Sequence, residues 1–397
     1  MKKNLMWNTC GSIFYSLCQW IMTIIVVHIA SYQTAGVLSL AMTTSSSFSA
    51  ISLFSMRNYQ VSDMAGEYSS GQYVSSRIWT CALSFILCCA YSIIGNSTEQ
   101  ILAIIAFMII RVAEAYVDVM HGVDQKYDRY DLIGKSYLLR GMSALIIFFG
   151  GMLIFKNLVI TLYCIAIVNL LIAGIYDRIN TGKLETILLK LRDKKILKLL
   201  INCAPLVVFT FLLSLENLIP KNVLQYYYGT ELLGIYSSIA SPTLIVQLFA
   251  SVVFAPFLPI FSKLYYEGEK EKLKNLLHKT YLAFIVLSLV VIAGAVILGK
   301  WGLQLLFGSN ILKHYYLFLP MVLCTLCTGI IWVLSAIVIM FRKIKQLLVI
   351  MLFDFLLCVA LVFPIVAKFG ANGCSIVQLV TLPILILAMI IICEVET

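Results

Sequence analysis

The stretch QILAIIAFMIIRVAEAYVDVM, residues 100–120, is an apolar run that carries three charged side chains. About 20 such residues cross the hydrocarbon core of a bilayer as a helix. Arg111, Glu114 and Asp118 are spaced so that a helix places them within about 60° of one face. A charge at the bilayer centre costs at least ~2.5 kcal/mol. This face is therefore predicted to meet protein or a watery cavity instead of lipid.

Two interpretations of the charged face remain open. The helical rise places Arg111 about 16 Å from the outer end of the span, near the bilayer midplane. Asp118 then lies close to the cytoplasmic mouth. The face could line a cavity that receives a charged substrate. Alternatively, Arg111 and Glu114 could form an ion pair that holds two helices together.

Similar apolar runs recur along the chain. Its 397 residues are 61% hydrophobic and 12% charged, about half the charged fraction of a soluble domain. A soluble globular protein is therefore excluded, and the long continuous runs favour helices over a β-barrel. We predict an all-α polytopic membrane protein with about 12 transmembrane helices. The predicted spans are residues 8–30, 35–55, 78–95, 100–120, 138–155, 158–176, 199–219, 232–254, 281–298, 316–341, 346–366 and 371–392.

The basic residues predict the orientation of these spans. With the N-terminus in the cytoplasm, 23 of the 29 Lys and Arg residues fall in inner segments and five in outer segments. Such a bias predicts a multi-pass protein of the inner (plasma) membrane with both termini cytoplasmic. The net charge of +10 is then explained by topology and membrane lipids, and no nucleic-acid partner is predicted.

A basic segment divides the chain into halves. We predict an N-terminal six-helix bundle over residues 1–176, a cytoplasmic linker over 177–198 and a C-terminal six-helix bundle over 199–397. A short repeat supports this division, since Ala35-Gly36-Val37-Leu38-Ser39 resembles Leu233-Gly234-Ile235-Tyr236-Ser237. Six spans per half give both halves the same orientation. The halves would then be related by a pseudo-two-fold axis normal to the membrane.

Other charged residues suggest further sites. Glu216, near the outer end of the seventh span, and Asp354, in the eleventh, could carry a coupling ion, H⁺ or Na⁺, or could simply be hydrogen-bonded. Arg57, Arg77 and Arg140 lie at the predicted cytoplasmic ends of spans two, three and five, where arginine could bind phosphate or serve topology alone. His121 is interpreted as a wet interfacial histidine. The twelve cysteines lie in or beside apolar runs, and we predict no cofactor and no metal site.

Several motifs resemble those of the Wzx-type polysaccharide flippases, which belong to the multidrug/oligosaccharidyl-lipid/polysaccharide exporter (MOP) superfamily. The resemblance extends over nearly the whole chain. Glu216 stands where the family more often has an aspartate. The matching motifs are Trp7-Asn8, Arg57-Asn58-Tyr59-Gln60-Val61-Ser62-Asp63, Gln125-Lys126 to Arg129, Gly134-Lys135-Ser136, Arg140-Gly141, Gly234-Ile235-Tyr236, and Pro259 with Ser262.

The resemblance implies two bundles around a central cavity and a substrate made of an oligosaccharide repeat unit on polyprenyl pyrophosphate. The protein would move this substrate from the inner to the outer leaflet by alternating access, for O-antigen or capsule biosynthesis. The resemblance also implies other polysaccharide-assembly proteins as partners. Arg57, Arg111 and Arg140 would contact pyrophosphate or sugar. Glu114 and Asp118 would hold Arg111 or bind sugar hydroxyls.

Two other functions remain open at this stage. A drug/cation antiporter of the same superfamily would need a carboxylate-rich cavity without a net cationic face. The second function is that of a membrane-embedded enzyme of glycan assembly. Against it, no catalytic signature such as G-x-S-x-G or H-E-x-x-H occurs in the chain. We therefore predict a transporter and not an enzyme.

Overall fold

The computed structural model describes residues 2–63, 66–243, 246, 254 and 257–396, with the side chains of the first helix described from Met6. Within these residues the chain is helical and contains no strand, as predicted. The helices are α1 (Lys2–Ile29), α2 (Tyr32–Leu53), α3 (Met56–Ser62), α4 (Ser70–Ser92), α5 (Thr98–Lys126), α6 (Tyr130–Ile154), α7 (Leu158–Leu171), α8 (Arg178–Leu184), α9 (Lys194–Ala240), α10 (Leu258–Tyr266), α11 (Lys270–Phe307), α12 (Phe318–Met340), α13 (Ile344–Phe369) and α14 (Ala371–Glu396).

The prediction of about 12 membrane-spanning helices is confirmed. Eleven helical segments among the described residues are long and apolar enough to cross a bilayer. The span predicted at 232–254 begins inside α9, which bends at Gly229 with φ of 84°. Beyond Ala240, most of that span lies outside the described residues.

The chain forms two compact units, Met1–Ser214 and Leu215–Thr397, which we call unit 1 and unit 2. In unit 1, α5 is the central helix and packs against α2, α3, α4 and α7, while α1 packs along α6. Capping boxes fix the starts of α4 and α5, where Ser69 pairs with Gln72 and Ser97 with Gln100. These caps fix where α4, which carries Arg77, and α5, which carries Arg111, Glu114 and Asp118, begin.

Glycines allow α1 and α6 to approach closely. A Cβ atom added to Gly11 would lie 2.6 Å from the carbonyl oxygen of Gly134. A Cβ atom added to Gly134 would in turn clash with the backbone of Trp7. Gly134 belongs to the motif Gly134-Lys135-Ser136, so the structure gives part of that motif a packing role.

We expect Gly11→Val to force α1 away from α6 and to lower the free energy of unfolding by about 1–3 kcal/mol, the usual cost of overpacking. The measurement is the thermal unfolding midpoint of the purified protein in detergent. Gly150→Val on α6 is the control, because no atom lies within 4 Å of a Cβ added there. Equal midpoints for the two variants would contradict this packing.

A sharp break separates α2 from α3. Phe54 and Ser55 both adopt left-handed backbone conformations, with φ of 50° and 48°. This region is unfavourable for residues other than glycine, so the turn must be held by its surroundings. The break ends α2 at Leu53 and places Arg57 on the short helix α3, where it faces α5.

The basic segment predicted as a linker is partly helical and is bound to α4. Its middle forms α8, and an irregular stretch then leads to α9. The amide of Lys190 donates to Ser75 Oγ at 2.8 Å, and the Trp79 indole donates to the Leu191 carbonyl at 3.1 Å. The boundary between the compact units falls later, after Ser214 inside α9. The domain limits 1–176, 177–198 and 199–397 remain predictions, as does the pseudo-two-fold relation.

In unit 2, α12 and α13 both pack against α14, and α11 packs against α12. The interior faces of α13 and α14 are buried at Met351, Cys358 and Met389. By contrast, α11 exposes Leu289, Ile297 and other large apolar side chains along its length. In a membrane protein such a face is solvated by lipid.

Candidate functional site

An ion pair occupies the middle of α5. The guanidinium Nη1 of Arg111 lies 2.6 Å from Glu114 Oε2, one turn further along the helix. The Tyr15 hydroxyl of α1 donates a hydrogen bond to Glu114 Oε1, and the Gln19 side-chain amide donates to the same oxygen at 3.4 Å. Glu114 therefore holds Arg111 in place, and α1 in turn orients Glu114.

Arg140 on α6 is a buried cation that forms no ion pair in the described residues, although the charge of Glu114 acts on it from beyond 4.0 Å. Its residue surface is 2% exposed, and its guanidinium carbon lies 5.3 Å from the ring centre of Tyr15 and 5.2 Å from that of Tyr137. Among the described residues, no carboxylate oxygen lies within 4.0 Å of it, and its Nε has no hydrogen-bond partner. A buried charge is costly unless it is paired. Stacking on two tyrosines offsets part of this cost and leaves the guanidinium edge able to bind an anion.

Asp118 joins a second charge network. Its carboxylate lies 2.9 Å from Arg77 Nη2 and 3.5 Å from Arg57 Nη1. Arg77, on α4, is fully buried and also donates to the Ser52 carbonyl at 2.5 Å. Arg57 donates to Gln125 Oε1 at 3.1 Å. The structure therefore divides the charged face of α5, since Glu114 pairs with Arg111 while Asp118 pairs with arginines of α3 and α4.

We expect Asp118→Asn to destabilise unit 1, because it leaves the buried Arg77 without its counter-ion. Breaking a fully buried pair costs about 3–5 kcal/mol, and the cost should be smaller here because 21% of the Asp118 side chain is exposed. The measurement is thermal unfolding in detergent. Glu99→Gln, an exposed carboxylate at the start of the same helix, is the control and should change stability by only a few tenths of a kcal/mol. A midpoint unchanged by Asp118→Asn would show that this network does not support the fold.

The structure corrects the interpretation of His121 as a wet interfacial residue. Its side chain is 1% exposed, and its Nε2 lies 3.4 Å from Asp177 Oδ1. Asp177 closes a π-helical turn that follows α7, and nearby Asp124 accepts a hydrogen bond from Thr181 of α8 at 2.9 Å. The π-helical turn shifts the register of the residues after it, and the sequence pattern gave no indication of this turn.

Asp63, the last residue of the motif that begins at Arg57, orders the turn before α4. Its carboxylate accepts hydrogen bonds from the amides of Glu67 and Tyr68 at 2.9 and 3.0 Å and from the Tyr73 hydroxyl at 3.0 Å. Burial alone would raise the pKa of Asp63, but these hydrogen bonds and the charge of Lys126 hold it below its ordinary value. The residue is thus an ionised structural group at neutral pH.

Unit 2 brings together the two carboxylates that were predicted separately. Glu216 of α9 and Asp354 of α13 are each 1% exposed, and they lie close enough for the charge of one carboxylate to act on the other. Within the described part of the chain, none of their four oxygens has a hydrogen-bond partner. Two adjacent buried carboxylates cannot both stay ionised without a counter-ion, so the pair must hold a proton or a cation.

The cysteines of the C-x-x-C pair lie in the apolar interior of unit 2. Cys324 is buried, and its Sγ donates to the Ser375 carbonyl at 3.5 Å. All twelve cysteines are free thiols. Within the described residues, no group of three or more His, Cys, Asp or Glu side chains has an arrangement that could hold a metal ion.

Several site residues were not predicted from the sequence. Tyr15, Gln19 and Tyr137 contact the predicted charges. Arg77 was among the arginines predicted at cytoplasmic span ends, but its pairing with Asp118 was not predicted. Tyr15 and Gln19 are four residues apart, so they share one face of α1. That spacing of polar groups in a membrane span is the signal that could have identified them.

Comparison with known proteins agrees with this fold. No protein-family model matches the chain. A capsular polysaccharide biosynthesis protein of Staphylococcus aureus, CapF, is 27% identical over 341 residues, which cover 85% of this chain and 84% of that protein. The lipid II flippase MurJ in an inward closed conformation superposes with a TM-score of 0.74 at 13% identity, over 98% of this chain and 87% of that one.

A multidrug resistance transporter of the MATE family and MOP superfamily, in an inward-facing conformation, also matches. Its TM-score is 0.64 at 12% identity, with 99% of this chain and 93% of that chain covered. At such identities these likenesses establish the fold. The chain is a multi-pass membrane protein with the MOP transporter fold, and the resemblance predicted from its sequence motifs is confirmed.

Proposed function

We propose that the protein moves a polyprenyl-pyrophosphate-linked oligosaccharide repeat unit from the inner to the outer leaflet, for assembly of a surface polysaccharide. The observation that carries this proposal is Arg140, a buried guanidinium that has no carboxylate oxygen within 4.0 Å in the described residues, so that Glu114 acts on it only from a greater distance. The guanidinium nitrogens therefore have no anion in direct contact. A pyrophosphate supplies one, and arginine binds phosphate oxygens two at a time.

The charge balance of unit 1 supports an anionic substrate. The ion pairs of this region contain two carboxylates, those of Glu114 and Asp118, beside the four guanidinium groups of Arg57, Arg77, Arg111 and Arg140. These six side chains therefore carry a net charge of about +2, which would complement a diphosphate. Because Tyr15 and Tyr137 stack on Arg140, the same region also offers aromatic surfaces for sugar rings.

The carboxylates have supporting roles in this proposal. Glu114 fixes Arg111, and Asp118 fixes Arg57 and Arg77, so each carboxylate holds guanidinium groups in position without neutralising all of them. Their remaining oxygen lone pairs could accept hydrogen bonds from sugar hydroxyls. The polyprenyl tail would remain in lipid while the headgroup crosses, and both termini would lie in the cytoplasm of a plasma membrane.

The buried Glu216–Asp354 pair of unit 2 would couple transport to an ion. A proton or Na⁺ bound there would satisfy both carboxylates, and its release would leave two like charges in apolar surroundings. That difference in energy can favour one of two conformations, as alternating access requires. The relatives fit this proposal, because one is a lipid II flippase and another is named for capsule biosynthesis.

A leaflet-resolved assay in cells with and without the gene tests this function. We expect intact polyprenyl-linked repeat units to accumulate on the cytoplasmic face of the deletion strain. A change in their chemical structure would indicate an enzyme of glycan assembly. If neither amount nor sidedness changed, the proposal would fail, and efflux of cationic dyes would then test the antiporter function.

A further inference from the structure

A groove of about 590 Å³ lies between the start of α13 and the end of α14. Val349, Ile391 and Val395 line it and are 68%, 62% and 76% exposed. The opposite faces of the same helices, at Met351 and Met389, are fully buried. The groove is thus on an outward-facing surface of unit 2, where its apolar walls would meet lipid chains.

One end of this groove is cationic. Lys345, Gln346 and Glu396 line that end, and Arg342 and Lys343 belong to the turn before α13. Lys343 Nζ lies 2.7 Å from Glu396 Oε1, which neutralises both groups. Neither Arg342 nor Lys345 has a carboxylate within 4.0 Å among the described residues. An unpaired positive charge, that of Lys345, therefore lines the groove, and a second, that of Arg342, lies in the turn before it.

The combination matches the shape and charge of one class of molecule. A lipid places a phosphate at the membrane surface and an acyl chain along the membrane normal, so it needs a polar mouth followed by an apolar groove. Basic pockets between transmembrane helices on the cytoplasmic side bind anionic headgroups. Under the orientation proposed above, the start of α13 and the end of α14 lie on that side.

We propose that this groove is a binding site for an anionic phospholipid of the inner leaflet. Its phosphate would lie between Arg342 and Lys345, and one acyl chain would run past Ala388 and Ile391. The site uses none of the residues assigned to the transported substrate. It therefore rests on the proposed orientation and not on the proposed transport function.

Native mass spectrometry of the purified, delipidated protein tests this site with dioleoyl phosphatidylglycerol and dioleoyl phosphatidylcholine as probes. We expect phosphatidylglycerol to be retained in preference to phosphatidylcholine. Lys345→Gln should weaken that retention roughly fivefold, the effect expected of one lysine near an anionic headgroup. Ala388→Phe should also weaken it, because the phenyl ring would fill the groove while leaving both charges in place.

Lys368→Gln is the matched control, since this exposed lysine lies at the other end of the same helix. It should retain phosphatidylglycerol as the unaltered protein does. Glycerol phosphate, which lacks chains, should not compete, and competition by it would indicate a simple phosphate site. Equal retention of the two lipids, retention unaffected by Lys345→Gln, or preferential retention of a polyprenyl phosphate would each overturn the proposal.

Discussion

Arg111→Ala is expected to reduce translocation of the lipid-linked oligosaccharide by roughly ten- to 150-fold, the effect of losing a charged contact of about 1.5–3 kcal/mol. Arg111 lies in the middle of α5, held by Glu114 at 2.6 Å, with 15% of its side chain exposed. It is therefore both fixed and accessible. The measurement is the rate at which a fluorescent polyprenyl-linked oligosaccharide crosses proteoliposomes that contain the variant.

The control must separate lost binding from lost folding. Alanine at 111 leaves Glu114 without its arginine, which by itself destabilises a buried site. The double variant Arg111→Gln with Glu114→Gln removes both charges and keeps side chains of similar size. It should fold and still fail to transport, whereas Arg192→Ala, an exposed linker arginine, should transport normally. Full activity of Arg111→Ala would contradict its assignment to the substrate site.

Glu216→Gln is expected to abolish the response of transport to an ion gradient. The amide cannot release a proton or bind a cation as a carboxylate does, so the pair with Asp354 loses its two charge states. Thermal stability should not fall, because the neutral amide can lie beside Asp354 without a bound proton or cation of its own. The measurement is the transport rate in proteoliposomes under an imposed proton or sodium gradient.

Glu231→Gln serves as the control, since this exposed carboxylate lies on the same helix beyond the bend at Gly229. It should respond to the gradient as the unaltered protein does. If Glu216→Gln also retained the full response, the carboxylate pair would not be the coupling site. If the transport rate of the unaltered protein did not respond to either gradient, the proposal of ion coupling would be wrong. Translocation itself could still be observed in that case.

The membrane-spanning helices were predictable because the cost of burying backbone polar groups in lipid forces apolar runs into helices. The Arg111–Glu114 pair was one of two interpretations of a spacing of three residues, which brings side chains together on any helix. Local periodicity was therefore sufficient for contacts within one helix.

Contacts between different helices could not be predicted from the local periodicity of the sequence. Arg77 and Asp118 lie 41 residues apart, and the stacking of Arg140 on Tyr15 joins α6 to α1. The pairing of Glu216 with Asp354 depends on how α9 and α13 pack. The apolar residues between these groups fix each helix in the membrane, but they do not specify which neighbour it meets.

The most direct test of the central proposal is a flipping assay with the purified protein in liposomes that hold a fluorescent polyprenyl-pyrophosphate oligosaccharide in one leaflet. A membrane-impermeant quencher then reports how much of the probe has crossed. If the protein is a flippase, the accessible fraction should change with time in its presence and stay constant in empty liposomes and with Arg111→Gln/Glu114→Gln. No crossing above empty liposomes, together with transport of a cationic dye, would contradict the flippase function.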